Sequence, residues 1–241
     1  MKKIKKSSEL LWCLGTIFVA LGVSICSKAD LGVSMIAAPA FVISEAVSHI
    51  SDVFSIGVVE YIIQGLMLAV LCIIVRRFNP RYLLAFAVAV IYGYTLNLFL
   101  WIMQDVCFES ILTRWIMLIV GDVITALGVA CFFRTYMPLQ VYELFVAEFA
   151  DKFHININKT KWVFDITLLI ISITLSFTLF GDAKAFDWSK IGYSSFHNLG
   201  LGTLVTTAIN SPIIALMGKL IDRVFEATPL FPKLKTILKR S

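Results

Sequence analysis

Charge is what this chain has least of. Asp, Glu, Lys and Arg make up 15% of its 241 residues, against about 25% in an ordinary soluble domain. That shortage excludes a disordered chain and a nucleic-acid-binding protein, both of which are rich in charge. Histidine is scarce too: His49, His154 and His197 stand apart, without metal-ligand spacing. The five cysteines are an odd number, contain no CxxC pair and fall mostly inside apolar runs. They read as small buried hydrophobes rather than a disulfide framework. No P-loop, HExxH or GxSxG is present, and no nucleophile stands beside a base in a recognisable order. The expectation is a protein that is not an enzyme and carries no metal or cofactor.

What is there instead is apolar sequence. Residues of the AVILMFWYC set reach 59%, and the mean hydropathy is +0.88. Six stretches are long enough to cross the ~30 Å hydrocarbon core of a bilayer as helices: 8–27, 56–75, 82–103, 113–133, 161–180 and 200–221. Only lipid can cover that much apolar surface, so the lipid bilayer is the first partner implied. Two shorter amphipathic stretches, 35–50 and 139–153, each hold a Glu. They are too short to span and read as re-entrant or interfacial half-helices. The expected fold is an all-α polytopic membrane helix bundle, one membrane domain over 1–241.

Charge placement sets the expected orientation. With only the six long runs crossing, seventeen of the 21 Lys and Arg fall on the side of the termini. Four (Lys28, Arg114, Lys184 and Lys190) fall on the other. The positive-inside rule then puts both termini in the cytoplasm, with a basic tail over 222–241 near the inner membrane surface. The lysine-rich start followed by an apolar run has the form of a signal peptide, but ~17 apolar residues suit a retained first helix.

The chain repeats itself weakly. Ala20-Leu21-Gly22-Val23 returns as Ala126-Leu127-Gly128-Val129, and at the same shift Gly15 meets Gly121, Lys28 meets Arg134, and Gly32 meets Pro138. Glu60 and Asp165 come early in the second span of each half, and Asn97 and Asn210 lie in the third. Two repeats, 8–103 and 113–221, follow. Each has three spans and a half-helix after the first. Three is odd, so the second copy must be inverted relative to the first, a construction used by secondary transporters.

Polar groups are costly in hydrocarbon, so those inside spans are candidates for function. Ser34, Asn97, Asp122, Asn210, Gln64 and Thr207 are the candidate substrate-binding residues, with Tyr94 a further polar lining group. Glu45, Glu148, Glu60 and Asp165 are the candidate gating or proton-coupling acids. Asp122 lies nearest the middle of a span among the acids. Ser34 is placed to cap the first half-helix, and Pro138 to open the second. Lys161 is four residues before Asp165, a spacing that allows a helix pair.

The run Lys28-Ala29-Asp30-Leu31-Gly32-Val33-Ser34, after Leu21-Gly22-Val23-Ser24, resembles the YczE/YyaS/YitT group of bacterial integral membrane proteins. Arg76-Arg77-Phe78, Tyr92-Gly93-Tyr94 and Asn97-Leu98-Phe99 extend the resemblance over about residues 10–225. Met35 stands where many members have Pro. The resemblance implies a bacterial cytoplasmic membrane protein and supplies no catalytic residues. The leading expectation is a secondary transporter, with or without proton coupling, for an unknown small-molecule solute bound between inverted repeats. A homodimer is compatible with it. The rival expectation is a non-transporting scaffold or accessory subunit of another membrane complex.

Overall fold

A computed structural model describes residues 4–48, 53–79, 81–180 and 199–231. Six helices are long and apolar enough to cross a membrane. They are α1 (Ser8–Lys28), α3 (Ile56–Val75), α4 (Arg81–Ile102), α5 (Ile111–Phe132), α7 (Ile157–Phe180) and α8 (Leu201–Val224). Two shorter helices, α2 (Ala38–Val47) and α6 (Val141–Phe153), lie between the first and second span of each half. Lys184, Lys190, Trp188 and the basic residues beyond 231 lie outside the described residues.

The helices α1 and α5 form the centre. About 56% of the apolar window of each is buried, against 22–33% for the other four spans. They cross on small residues: a Cβ on Gly22 would lie 2.5 Å from the Gly121 carbonyl oxygen, and one on Gly128 would lie 2.7 Å from that of Gly15. Without side chains the two backbones approach directly, as in other tight membrane-helix pairs. The contacts run antiparallel and obey the sequence repeat. Shifting the Gly15–Gly128 contact by one repeat gives the Gly121–Gly22 contact, which is the other one observed.

The outer helices follow the same rule. The half-helix α2 packs on α7 of the other half, and α6 packs on α3. Within each half the first span packs on the third, α1 on α4 and α5 on α8. This exchange is consistent with two inverted repeats. Polar links at the ends repeat too. Lys28 donates to the Gln104 carbonyl just past α4 at 2.9 Å, and its repeat mate Arg134 binds Asp222 near the end of α8 through two 2.7 Å bonds.

Connectivity returns each short helix to the end of the bundle from which its segment departs. Phe133 and Ile157, the residues beside the end of α5 and at the start of α7, line one cavity with Arg77, just past α3. All three mark one end of the bundle, the end that also carries the chain termini. Segment 133–156 therefore enters and leaves at that end, and segment 29–55 does so at the other.

Two local expectations are corrected. Ser34 does not cap α2 through its side chain. The helix starts later, after Ala37, because the Ser34 carbonyl already accepts Ala37 and Ala38 N–H in a turn. Pro138 stays outside α6, and its carbonyl accepts the Trp12 indole N–H at 2.9 Å. It is Pro39 that occupies a first-turn position, in α2. The bundle itself is all-α as expected, and one short strand pairing lies beside it. Strands β1 (Ile4–Ser7) and β2 (Phe225–Thr228) pair in parallel, and the Glu9 carboxylate accepts the Leu230 and Phe231 N–H groups and the Tyr136 hydroxyl. The two chain ends are thereby tied together.

Candidate functional site

A row of buried polar side chains lies where α6 meets α3 and α7. Glu60 and Gln64 come from α3, Tyr92 from α4, Tyr142 and Glu143 from α6, and Lys161 and Asp165 from α7. All are buried, with Gln64 and Asp165 at zero exposure. Gln64 donates to Glu60 Oε1 at 3.2 Å, and Lys161 pairs with Asp165 Oδ1 at 3.2 Å. The Tyr142 hydroxyl faces the Glu60 carboxyl. Glu143 interacts electrostatically with Glu60, Lys161 and Asp165 and is the hub of the group. From α8, Ser211 faces Asp165.

At ~1.5 Å per helical residue, Glu143 lies ~15 Å from the α6 end at the termini side. Asp165 lies ~12 Å from the start of α7, and Glu60 ~22 Å from the end of α3. The group therefore sits near mid-depth of a ~30 Å core. It is incompletely satisfied: Glu60 Oε2, Gln64 Oε1, Glu143 Oε2 and Asp165 Oδ2 have no hydrogen-bond partner.

The structure separates the sequence-picked residues into kinds. Glu60, Gln64 and Asp165 belong to this group. Asp122 is buried in α5 beside Cys26 with both carboxylate oxygens unpaired. Asn210 has no exposure and both amide atoms unpaired. Asn97 is engaged. It accepts the Gly57 N–H and donates to Ser55 Oγ, both at 2.9 Å, and so caps α3. The repeat explains why its mate Asn210 is left over. The equivalent of Gly57 is Trp162, but α7 begins a turn earlier, at Ile157, so there is no free N–H to cap. Thr207 bonds back to the Thr203 carbonyl of its own helix at 2.6 Å, and Ser34 is buried with its hydroxyl against Met35 Sδ at 3.8 Å. Glu45 is half-buried near the end of α2. Tyr94 is corrected as a lining residue, since 66% of it is exposed on the outer face of α4.

Glu148 lies on the opposite face of α6 from Glu143, accepting the Tyr82 hydroxyl at 3.0 Å. It lines a cavity of about 780 Å³ at the termini end, between α6, the start of α4 and the 133–139 connection. Arg77, Asp151 and His154 bring both signs of charge to the same walls. At the other end, among the described residues, the corresponding breaker Leu31-Gly32 packs directly on the start of α8. The Gly202 N–H donates to the Leu31 carbonyl at 2.8 Å. A Cβ on Gly32 would meet the Gly200 nitrogen at 2.7 Å, and Gly32 has φ +110°, where L side chains are strained.

Sequence reading missed Glu143, Tyr142 and Tyr92. The usable signal was position: Glu143 and Glu148 are five residues apart, which puts them on different faces of one helix, and Glu143 falls in the first turn of α6.

The family model for DUF6198, a family of unknown function, matches residues 6–219. The chain belongs to that family, a multi-pass membrane protein family. No curated protein and no solved structure matches it.

Proposed function

We propose that this protein is a secondary transporter for a small polar solute, with the solute path between two inverted repeats. The observation that carries the reading is the unequal packing of the two helix breakers. Leu31-Gly32 lies sealed against the start of α8. Its counterpart, Met137-Pro138-Leu139, faces the start of α4 across the cavity. Equivalent parts in different arrangements are what alternating access between repeats requires. In this reading the termini end is open and the other end shut. Positive-inside charge directs the open cavity to the cytoplasm, with both termini on that side of a bacterial cytoplasmic membrane. The resemblance to the YczE/YyaS/YitT group fits the same placement. Cavity walls with Arg77, Glu148, Asp151 and His154 suit a solute carrying both donor and acceptor groups. Asp122 and Asn210 supply unpaired polar atoms between the repeats.

The test is a thermal-stability screen of the purified protein in mild detergent against a metabolite library at two pH values. A solute bound only by the folded state raises stability by RT ln(1 + [L]/Kd). The expected result is a saturable stabiliser whose effect is lost in Asp122→Ala or Asn210→Ala, followed by its counterflow in proteoliposomes. A library with no stabiliser at either pH, and vesicles that exchange nothing, would overturn the reading in favour of a scaffold or accessory subunit.

A further inference from the structure

We propose that Glu60, Glu143 and Asp165 form a proton-binding site that holds the coupling proton of the transporter, with Glu143 as its hub; the word coupling rests on the transport reading, and the site itself does not. The argument starts from counting. Among the described residues, three buried carboxyls share one ammonium, that of Lys161. Facing them are Tyr92 from α4, Tyr142 from α6 and Ser211 from α8, none of which brings a positive charge. The half-helix α2, packed on α7, has Glu45 as its one ionisable residue. Fully ionised, the group would hold two uncompensated negative charges out of water.

Hydrogen bonding points the same way. The four unpartnered atoms Glu60 Oε2, Gln64 Oε1, Glu143 Oε2 and Asp165 Oδ2 are acceptors. The neighbouring hydroxyls of Tyr142 and Ser211 can serve two of them, which leaves two acceptors without a donor. A carboxyl that carries a proton becomes a donor to one of the remaining acceptors and lowers the uncompensated charge from two to one. A bound cation such as sodium is the rival occupant of the same carboxyls, and the two salts of the test separate it from a proton.

Placement gives the site its use. Glu143 is in the first turn of the short helix α6, whose opposite face lines the open cavity through Glu148. A movement of α6 that closed the cavity would carry Glu143 relative to Glu60 on α3 and Asp165 on α7. The first half-helix has apolar Pro39-Ala40 at the corresponding turn, so only one of the two repeats carries the proton.

The test is the melting temperature of the full chain in detergent between pH 5.5 and 8.5, in sodium chloride and in choline chloride. When the folded state holds a proton that the unfolded chain releases, stability falls as pH rises. The expected fall is about 3–6 °C per pH unit across the titration for a protein of this length. It is equal in the two salts and flattened in Glu143→Gln, which keeps the shape and is always neutral. Identical profiles for wild type and Glu143→Gln, or a melting temperature that follows sodium at fixed pH, would overturn the proposal. Should Glu143→Gln fail to fold, Lys161→Met leaves three acids without a cation. It must shift the midpoint of the fall to higher pH, and an unmoved midpoint is equally fatal. No transport is measured, so loss of the proton site and loss of the transport reading are separate outcomes.

Discussion

A single methyl group placed at Gly22 tests the central crossing of α1 and α5. Its Cβ would fall 2.2 Å from Thr125 Oγ1, 2.5 Å from the Gly121 carbonyl oxygen and 2.7 Å from the Thr125 nitrogen. Carbon keeps ~3.5–4.0 Å from such atoms, and two of the three are backbone, which cannot rotate away. The helices must part by about 1 Å along a packed seam. Overpacking typically costs ~1–3 kcal/mol, and a rigid clash at the centre of the molecule belongs at the upper end. The expected loss for Gly22→Ala is about 3 kcal/mol, or roughly 6–12 °C in melting temperature at this chain length.

Two other glycines calibrate the series. At Gly15 the Cβ would stand 3.1 Å from the Gly128 oxygen and 3.3 Å from the Phe132 ring, so Gly15→Ala costs about 1 kcal/mol. At Gly65 its nearest neighbour is the edge of the Phe86 ring, 3.1 Å away. That ring can yield, and Ala gains ~1 kcal/mol of helix propensity over Gly, so Gly65→Ala is neutral or slightly stabilising. Gly22 and Gly121 share one contact, so Gly22→Ala with Gly121→Ala must cost less than the sum of the two. The assay is thermal unfolding in one detergent. A Gly22→Ala protein as stable as Gly65→Ala would refute the reasoning.

Other consequences are as direct. Asn97→Ala removes the cap of α3 and leaves the Gly57 N–H without its partner, costing ~1–2 kcal/mol, whereas Asn210→Ala removes no hydrogen bond and leaves stability within about 1 kcal/mol; paired thermal melts separate the two. Glu9→Gln loosens the tie between chain ends, so the Leu230 and Phe231 amides exchange faster by hydrogen-exchange mass spectrometry while the α1–α5 seam is unchanged. Asp222→Asn weakens a half-exposed bidentate pair with Arg134, and because such pairs contribute little, the melting temperature moves by no more than about 2–4 °C.

The six spans were legible because length and apolarity are local properties that the bilayer reads directly. The repeat was legible for a similar reason, since a shared tetrapeptide and matched breakers need no three-dimensional context. What escaped depended on contacts made at a distance. Glu143 sits in a helix with four charged residues among thirteen, and its burial comes from the packing of that helix against α3 and α7. The strand pair joins residues more than two hundred positions apart, and Ile4-Lys5-Lys6-Ser7 alone reads as a basic leader. Asn97 and Asn210 look equivalent in sequence, and a helix start shifted by one turn gives them different surroundings. Ser34 had the residue type of a cap, but its carbonyl turn delays α2.

Under the transport proposal the two ends of the molecule are alternatives, one shut where the other is open. Spin labels in a cysteine-free background read this directly. One pair, at Asp30 and Leu204, reports the sealed breaker against α8. A second pair, at Arg77 and Thr135, reports the cavity mouth. Distances measured by pulsed electron resonance in lipid nanodiscs at pH 5.5 and 8.5 should each show two populations. The first distance should lengthen under the condition in which the second shortens. Single, unchanging distances for both pairs at both pH values would contradict it.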